Sequence, residues 1–279
     1  SHCGKDGEEV MKNTLLLSLL AAFMMITTLG SAQAAGGNIE IQRQDWSWDG
    51  IFGSYDRAET QRGLQVYREV CAGCHGLRFV AFRNLMQLGY SENQVKVLAA
   101  EYEVTDGPND EGEMFERPAR PSDRFPNPFP NDNAARASNN GALPPDLSLI
   151  VDNRAFGMDF VVYPINFQFG GADYVYALLT GYEDPPAGVK VGENMHYNKY
   201  YGGHQIAMAA PLSEDAVEYT DGTKATVEQM ARDVTTFLAW AAEPNLEQRK
   251  EMGLKVVLFL IVFMGLMIAV KKRIWANVH

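Results

Sequence analysis

Cys71-Ala-Gly-Cys74-His75 is a short stretch whose residue types and spacing specify chemistry on their own. Two thiols in this arrangement can form a redox pair, supply half of a zinc site, or bind a haem covalently through two thioethers with the adjacent imidazole as an axial iron ligand. A zinc site needs further ligands, and the only other cysteine is Cys3. A redox pair usually opens a helix in an α/β pattern and has no need of the histidine. Covalent haem attachment needs all three residues, because the thioethers fix the porphyrin so that the imidazole of His75 falls under the iron. The expected cofactor is therefore one haem c on Cys71, Cys74 and His75.

What the iron can do depends on its sixth ligand. An open position permits ligand chemistry, whereas a second protein ligand closes the iron and favours electron transfer. The candidates are His196, His204 and the methionines. Met208 stands in Gly202-Gly-His-Gln-Ile-Ala-Met-Ala-Ala-Pro211, where glycine and alanine let backbone pass close to a flat ring and proline limits the loop. On local chemistry alone, Met208 and His204 are equal candidates.

Two helices are expected to position this site. Gly63, Val66, Tyr67 and Val70 recur at helical spacing before Cys71, and Gly63 allows another helix to approach closely. A partner helix starts at Thr226, where Thr-x-x-Gln229 is a capping box, and stops near Glu243-Pro244. Val227, Met230, Val234, Phe237, Leu238 and Ala241 form its apolar face. Trp46, Trp48, Tyr197, Tyr200 and Tyr201 are read as packing residues and not as electron relays.

Composition bounds the rest. With 46% apolar and 21% charged residues the chain is an ordinary folded protein, and three cysteines are too few for a disulfide scaffold. A formal charge of −11 argues against nucleic acid as a partner. Residues 1–34 read as an N-terminal extension and cleaved signal peptide: translation starts at Met11, Leu15–Leu29 is the apolar run, and Ser31–Ala35 is a small-residue cleavage region. A second apolar run, Leu254–Val270, ends in Lys271-Lys-Arg273. Its roughly 17 residues span about 26 Å as a helix, near the thickness of a hydrocarbon core once Lys255 snorkels outward. The expected division is an exported domain over 35–250, a transmembrane anchor over 251–272 and a cytoplasmic tail over 273–279.

Several longer blocks carry a resemblance. Arg62-Gly-Leu-Gln-Val-Tyr67, Asp106–Phe115, Ala135–Ser148, Leu178-Leu-Thr-Gly-Tyr182 and Trp240-Ala-Ala-Glu-Pro244 together resemble the cytochrome c1 family, the haem subunits of the ubiquinol–cytochrome c oxidoreductase (cytochrome bc1) complex. The resemblance covers essentially the whole mature chain. It implies a mainly α, class I cytochrome c-like haem domain with extended loops, plus one C-terminal transmembrane helix. It implies Met208 as the second axial ligand, although the family often has Met-Ala-Pro-Pro where this chain has Met208-Ala-Ala-Pro211. It further implies a haem pocket walled by Asn139, Pro144 and Pro145, with Arg154 and Tyr174 on the haem propionates, and a segment from Ala155 to Gly170 longer than in mitochondrial relatives. The implied role is electron transfer from the Rieske iron–sulfur protein to a soluble or membrane-tethered cytochrome c. Cytochrome b and membrane lipid would lie beside the anchor, and the haem domain on the periplasmic side of a bacterial inner membrane. Glu101, Glu103, Asp106, Asp110, Glu111, Glu113 and Glu116 form an acidic run with no basic residue among them, read as a solvated, irregular surface or as a steering patch for a lysine-rich cytochrome c. The alternative reading is a membrane-anchored c-type haem enzyme with an open axial site.

Overall fold

The computed structural model describes residues 39–155 and 170–276. The expected signal peptide over 1–34 and nearly all of the expected insertion over 155–170 lie outside the described residues.

Helix α1 (Arg57–Val66) is capped by Asp56, whose carboxylate accepts the Glu59 amide at 3.0 Å. It runs directly into a wider π-helical turn, Tyr67–Cys71, that delivers the first cysteine. After α2 (Glu92–Ala100) come two antiparallel strands, β1 (Glu103–Asp106) and β2 (Phe115–Pro118), paired Glu103 with Pro118 and Asp106 with Phe115. Short helices α3 (Asp132–Ser138) and α4 (Ile150–Asn153) precede α5 (Gly171–Thr180). A ribbon of β3 (His196–Tyr197) and β4 (Gln205–Ile206) leads to α6 (Val227–Ala242) and α7 (Leu246–Trp275). Among the described residues the architecture is mainly α, as expected, with two small sheets.

The organising contact is the crossing of α1 and α6. A Cβ added to Gly63 would lie 2.0 Å from the Asp233 carbonyl oxygen and 2.7 Å from Phe237 Cβ, so only glycine fits there. Met230, Val234, Phe237, Leu238 and Ala241 are buried and Val227 partly so. Asp233, Thr235, Thr236 and Trp240 are buried as well, because α4 and α5 also pack against α6. Arg62 crosses the seam with two bonds to the buried Asp233 carboxylate, each 3.0 Å. Only half of the expected capping box forms. Thr226 accepts the Gln229 amide at 3.1 Å, but the Gln229 side chain donates to Asp233 at 3.0 Å, and the Thr226 amide that it would accept donates instead to the Lys224 carbonyl at 3.0 Å.

Trp46 and Trp48 are buried and stacked 4.8 Å apart, with Trp46 Nε1 donating to Asp173 at 2.8 Å. They pack as expected.

A break at Glu243–Asn245 separates α6 from α7, and the junction is tightly tied. Tyr55 donates its hydroxyl to the carbonyls of Ala239 (3.1 Å) and Glu243 (3.3 Å), and its amide to Glu247 at 3.0 Å. Arg57 pairs with Glu247 at 2.6 Å, and Lys250 donates to the carbonyls of Trp48 (2.5 Å) and Gly53 (3.1 Å). Leu246 is buried. Beyond this collar, α7 exposes large apolar side chains, unbroken from Val256 to Met264 and resuming from Leu266. Its 30 residues reach about 45 Å, and it fits a single-pass membrane anchor.

Candidate haem site

The turn that carries the cysteines is wound by its own backbone. The Cys71 carbonyl accepts from the amides of Cys74 (3.1 Å) and His75 (2.9 Å), and Ala72 donates to the Tyr67 carbonyl at 2.8 Å. Tyr67, almost wholly buried against Phe125 and Phe237, donates its hydroxyl to the His75 carbonyl at 3.0 Å. The α1–α6 core thus fixes the peptide on which His75 sits.

The imidazole is fixed from the other side. His75 Nδ1 lies 2.8 Å from the Pro145 carbonyl oxygen, which can only accept, so Nδ1 carries the proton and Nε2 keeps its lone pair. Pro145 is held in place by a lacing of the two segments: Leu147 N to Gly76 O (2.8 Å), Arg78 N to Asp146 Oδ2 (3.0 Å) and Phe79 N to the buried Ser148 hydroxyl (3.1 Å). Burial lowers the His75 pKa below the ordinary imidazole value, against the opposing pull of Pro145 and Asp146. A neutral ring with a free Nε2 is the form that binds a metal.

Cys71 and Cys74 are not bonded to each other. Burial pushes the Cys71 thiol up to about 12, the opposite of the activated thiolate a redox pair requires. Among the described residues no cluster of three or more His, Cys, Asp or Glu is arranged to hold a metal ion, so a zinc site finds no support. Two unbonded thiols, an oriented neutral imidazole and the exposed apolar side chains of Leu143 and Leu149 flanking Pro145 fit a covalently held haem.

Met208 is half-buried in the segment after β4, and its carbonyl accepts from the Tyr182 hydroxyl at 3.1 Å. The ribbon before it hangs on Asn198, which is fully buried. Asn198 donates Nδ2 to Leu178 O at 2.7 Å, accepts the Tyr200 amide at 3.0 Å, and donates its own amide to His204 O at 3.1 Å. His204, the other candidate, is exposed and has a positive φ of 57°, with its ring stacked 5.8 Å from Tyr197.

Arg154 and Tyr174 come together: the guanidinium lies 5.7 Å from the ring centroid, from the C-terminus of α4 to the first turn of α5. Burial raises the Tyr174 pKa, so its hydroxyl stays a donor. Pro144 is half-buried, Pro145 is exposed, and Asn139 donates its side-chain amide to Ala135 of its own helix at 2.7 Å.

The acidic run is more ordered than an irregular loop, because β1 and β2 make it a hairpin. The physical reason lies just outside the run. Arg117 bonds Asp106 and also Asp123, at 2.6 Å, and clamps the two strands to the following turn. Glu101 pairs with Arg68. Glu103, Asp110, Glu111, Glu113 and Glu116 remain exposed, and among the described residues none of them pairs with a basic side chain.

Tyr182, Asn198 and Ser148 are supporting residues that were not singled out in the sequence, and Tyr67 was marked only for its place on the helix before Cys71. Tyr182 and Ser148 stand inside blocks that carry the family resemblance, which was their only signal.

Comparison with known proteins places the chain. The Cytochrome C1 family matches residues 46–278. Similar proteins include "Cytochrome b/c1" of Bradyrhizobium diazoefficiens, 49% identical over 99% of this chain and 41% of that relative, so the chain spans under half of its length. "Cytochrome c1" of Rhodospirillum rubrum is 46% identical over 94% of this chain and 97% of its own. "Cytochrome c1, heme protein, mitochondrial" of Saccharomyces cerevisiae is 47% identical over 90% and 77%.

Proposed function

The chain belongs to the cytochrome c1 family, and from that premise we propose that it is the electron-transfer subunit of a quinol–cytochrome c reductase, the cytochrome bc1 complex. In this role it takes electrons from the Rieske iron–sulfur protein and passes them to a soluble or membrane-tethered cytochrome c. The observation that carries the reading is His75: Pro145 holds one ring nitrogen, and the other is left free beside two unbonded cysteines.

Cys71 and Cys74 would hold the haem by thioethers, with His75 and Met208 as its iron ligands. A haem c bound there supplies a one-electron Fe(III)/Fe(II) couple that needs no acid–base residue. The rest is the work of this chain's own side chains. Pro145 orients His75, Tyr182 steadies the Met208 backbone, and Arg154 with Tyr174 offers a cation and a hydroxyl to the propionates. Asn139 and Pro144 belong to the pocket wall. The exposed acids of the hairpin steer a basic cytochrome c toward the domain. The haem domain faces the periplasm of a bacterial inner membrane, α7 crosses beside cytochrome b among lipids, and the C-terminal residues are cytoplasmic.

The test is an absorption spectrum of the dithionite-reduced protein with and without carbon monoxide, with denaturing extraction to check that haem stays attached. Retained haem and a spectrum unmoved by carbon monoxide are expected. Met208→Leu should open the site, so that carbon monoxide binds and the midpoint potential falls sharply. A wild-type spectrum that shifts with carbon monoxide would instead favour the haem-enzyme reading.

A further inference from the structure

Phe52 is 84% exposed, and among the described residues no large apolar side chain is more so; its neighbour Ile51 is 43% exposed. They form the tip of a closed loop. Ser54 N donates to Ser47 O (3.1 Å), Asp56 N to the Ser47 hydroxyl (3.1 Å) and Asp49 N to Trp46 O (3.0 Å), while the buried Trp46 and Trp48 root the loop in the core. A Cβ on Gly53 would meet the Asp49 carbonyl at 2.1 Å, so the turn behind Phe52 is drawn tight. An apolar tip on a well-fastened loop is a feature held in place, and its position relative to α7 says against what.

The bonds between this segment and α7 form a register. Arg57 and Tyr55 bind Glu247, whereas Gly53 and Trp48 bind Lys250. Passing from residue 57 back to residue 53 therefore moves along α7 toward its apolar part. Lys250 holds both sides of the loop that carries Ile51 and Phe52, through the Trp48 and Gly53 carbonyls, and the exposed apolar surface of the helix begins two residues further on, at Met252. Three of the flanking cations pair with carboxylates: Arg43 with Asp49, Arg57 with Glu247, and Lys255 with Glu251.

We propose that the Ile51–Phe52 tip is a second membrane contact, an apolar wedge that enters the lipid headgroup region beside the base of α7. The proposal rests on reading α7 as the membrane span. Two points of entry, a helix and a wedge, define a line across the bilayer surface, and the haem domain then has a set tilt about the helix axis. The charge pairing keeps the desolvation cost of approach low, and the wedge replaces exposure of a phenyl ring to water with contact to acyl chains.

The test uses the full haem-bearing chain, with Cys3→Ser, in vesicles of phosphatidylcholine and phosphatidylglycerol. Phe52→Cys, Val97→Cys and Val257→Cys are each spin-labelled, and collision with oxygen is compared with collision with a water-soluble nickel chelate. Val97 is exposed on α2 and reports water; Val257 on α7 reports lipid. Position 52 is expected to behave as position 257 does, with oxygen collisions severalfold favoured relative to position 97. A label at 52 that matches position 97 overturns the proposal. Shielding of position 52 from both reagents also overturns it, because the tip is then covered by protein. Nickel access at position 257 removes the membrane-span reading and the wedge with it, which separates that failure from failure of the wedge alone.

Discussion

A carbonyl oxygen that can only accept decides which nitrogen of His75 is left for a metal, and a comparable single contact holds the segment of Met208, the proposed second iron ligand. The Tyr182 hydroxyl is the described donor to the Met208 carbonyl. A neutral hydrogen bond of this kind contributes about 1 kcal/mol, equivalent to roughly fivefold in an equilibrium. Tyr182→Phe should therefore let added imidazole displace Met208 at about fivefold lower concentration, as followed by the haem absorption spectrum; unchanged competition would show that the loop holds without this bond. The cysteines and His75 were legible in the sequence because their chemistry is local. Tyr182 and Asn198 were not, since their partners stand 26 and 20 residues away in the chain and only the fold brings them together.

Among the elements, the α1–α6 crossing was anticipated from Gly63 and the period of the apolar residues, because a glycine on an otherwise apolar face marks a close approach. Its polar content was hidden. Nothing in the sequence linked Arg62 to Asp233, 171 residues away, yet packing makes Asp233 a buried carboxylate that takes both Arg62 and the Gln229 side chain. Gly63→Ala places a carbon in contact with the Asp233 backbone and should cost about 3 kcal/mol of stability, read as a lowered melting temperature of the detergent-solubilised chain. The β1–β2 hairpin was missed for a different reason: the run is rich in acids, and the stabilising cation, Arg117, comes after it. Hydrogen bonds to Arg117 hold the carboxyls of Asp106 and Asp123 below the usual carboxylate range. Depressed folded values mean a stabilisation that is present above about pH 4 and lost as the pH falls through them. Protection factors of the hairpin amides in hydrogen exchange should thus hold from neutral pH to about pH 4 and fall below it, and Arg117→Gln should abolish that dependence.

At the scale of the whole molecule, charge acts at a distance. Exposed acids beyond a Debye length of about 8 Å at physiological salt are screened, so the proposed steering by the hairpin would act on the rate of encounter at low salt. Replacing Glu103, Asp110, Glu111, Glu113 and Glu116 by amides should flatten the salt dependence of cytochrome c reduction while leaving Glu101 and Asp106 to hold the fold. An identical salt slope would place docking elsewhere. The acidic surface and the anchor were both legible from composition and run length, while the collar between them was not, because it is built from carbonyls of Trp48 and Gly53 and from single side chains far apart in sequence. That collar has a kinetic meaning. A domain on a loose tether samples all orientations and presents its reactive edge only part of the time; one clamped at Tyr55, Arg57 and Lys250 cannot swivel about its stalk. It stands like a fixed platform at a constant height, and the burden of finding the right angle passes entirely to the molecules that visit it.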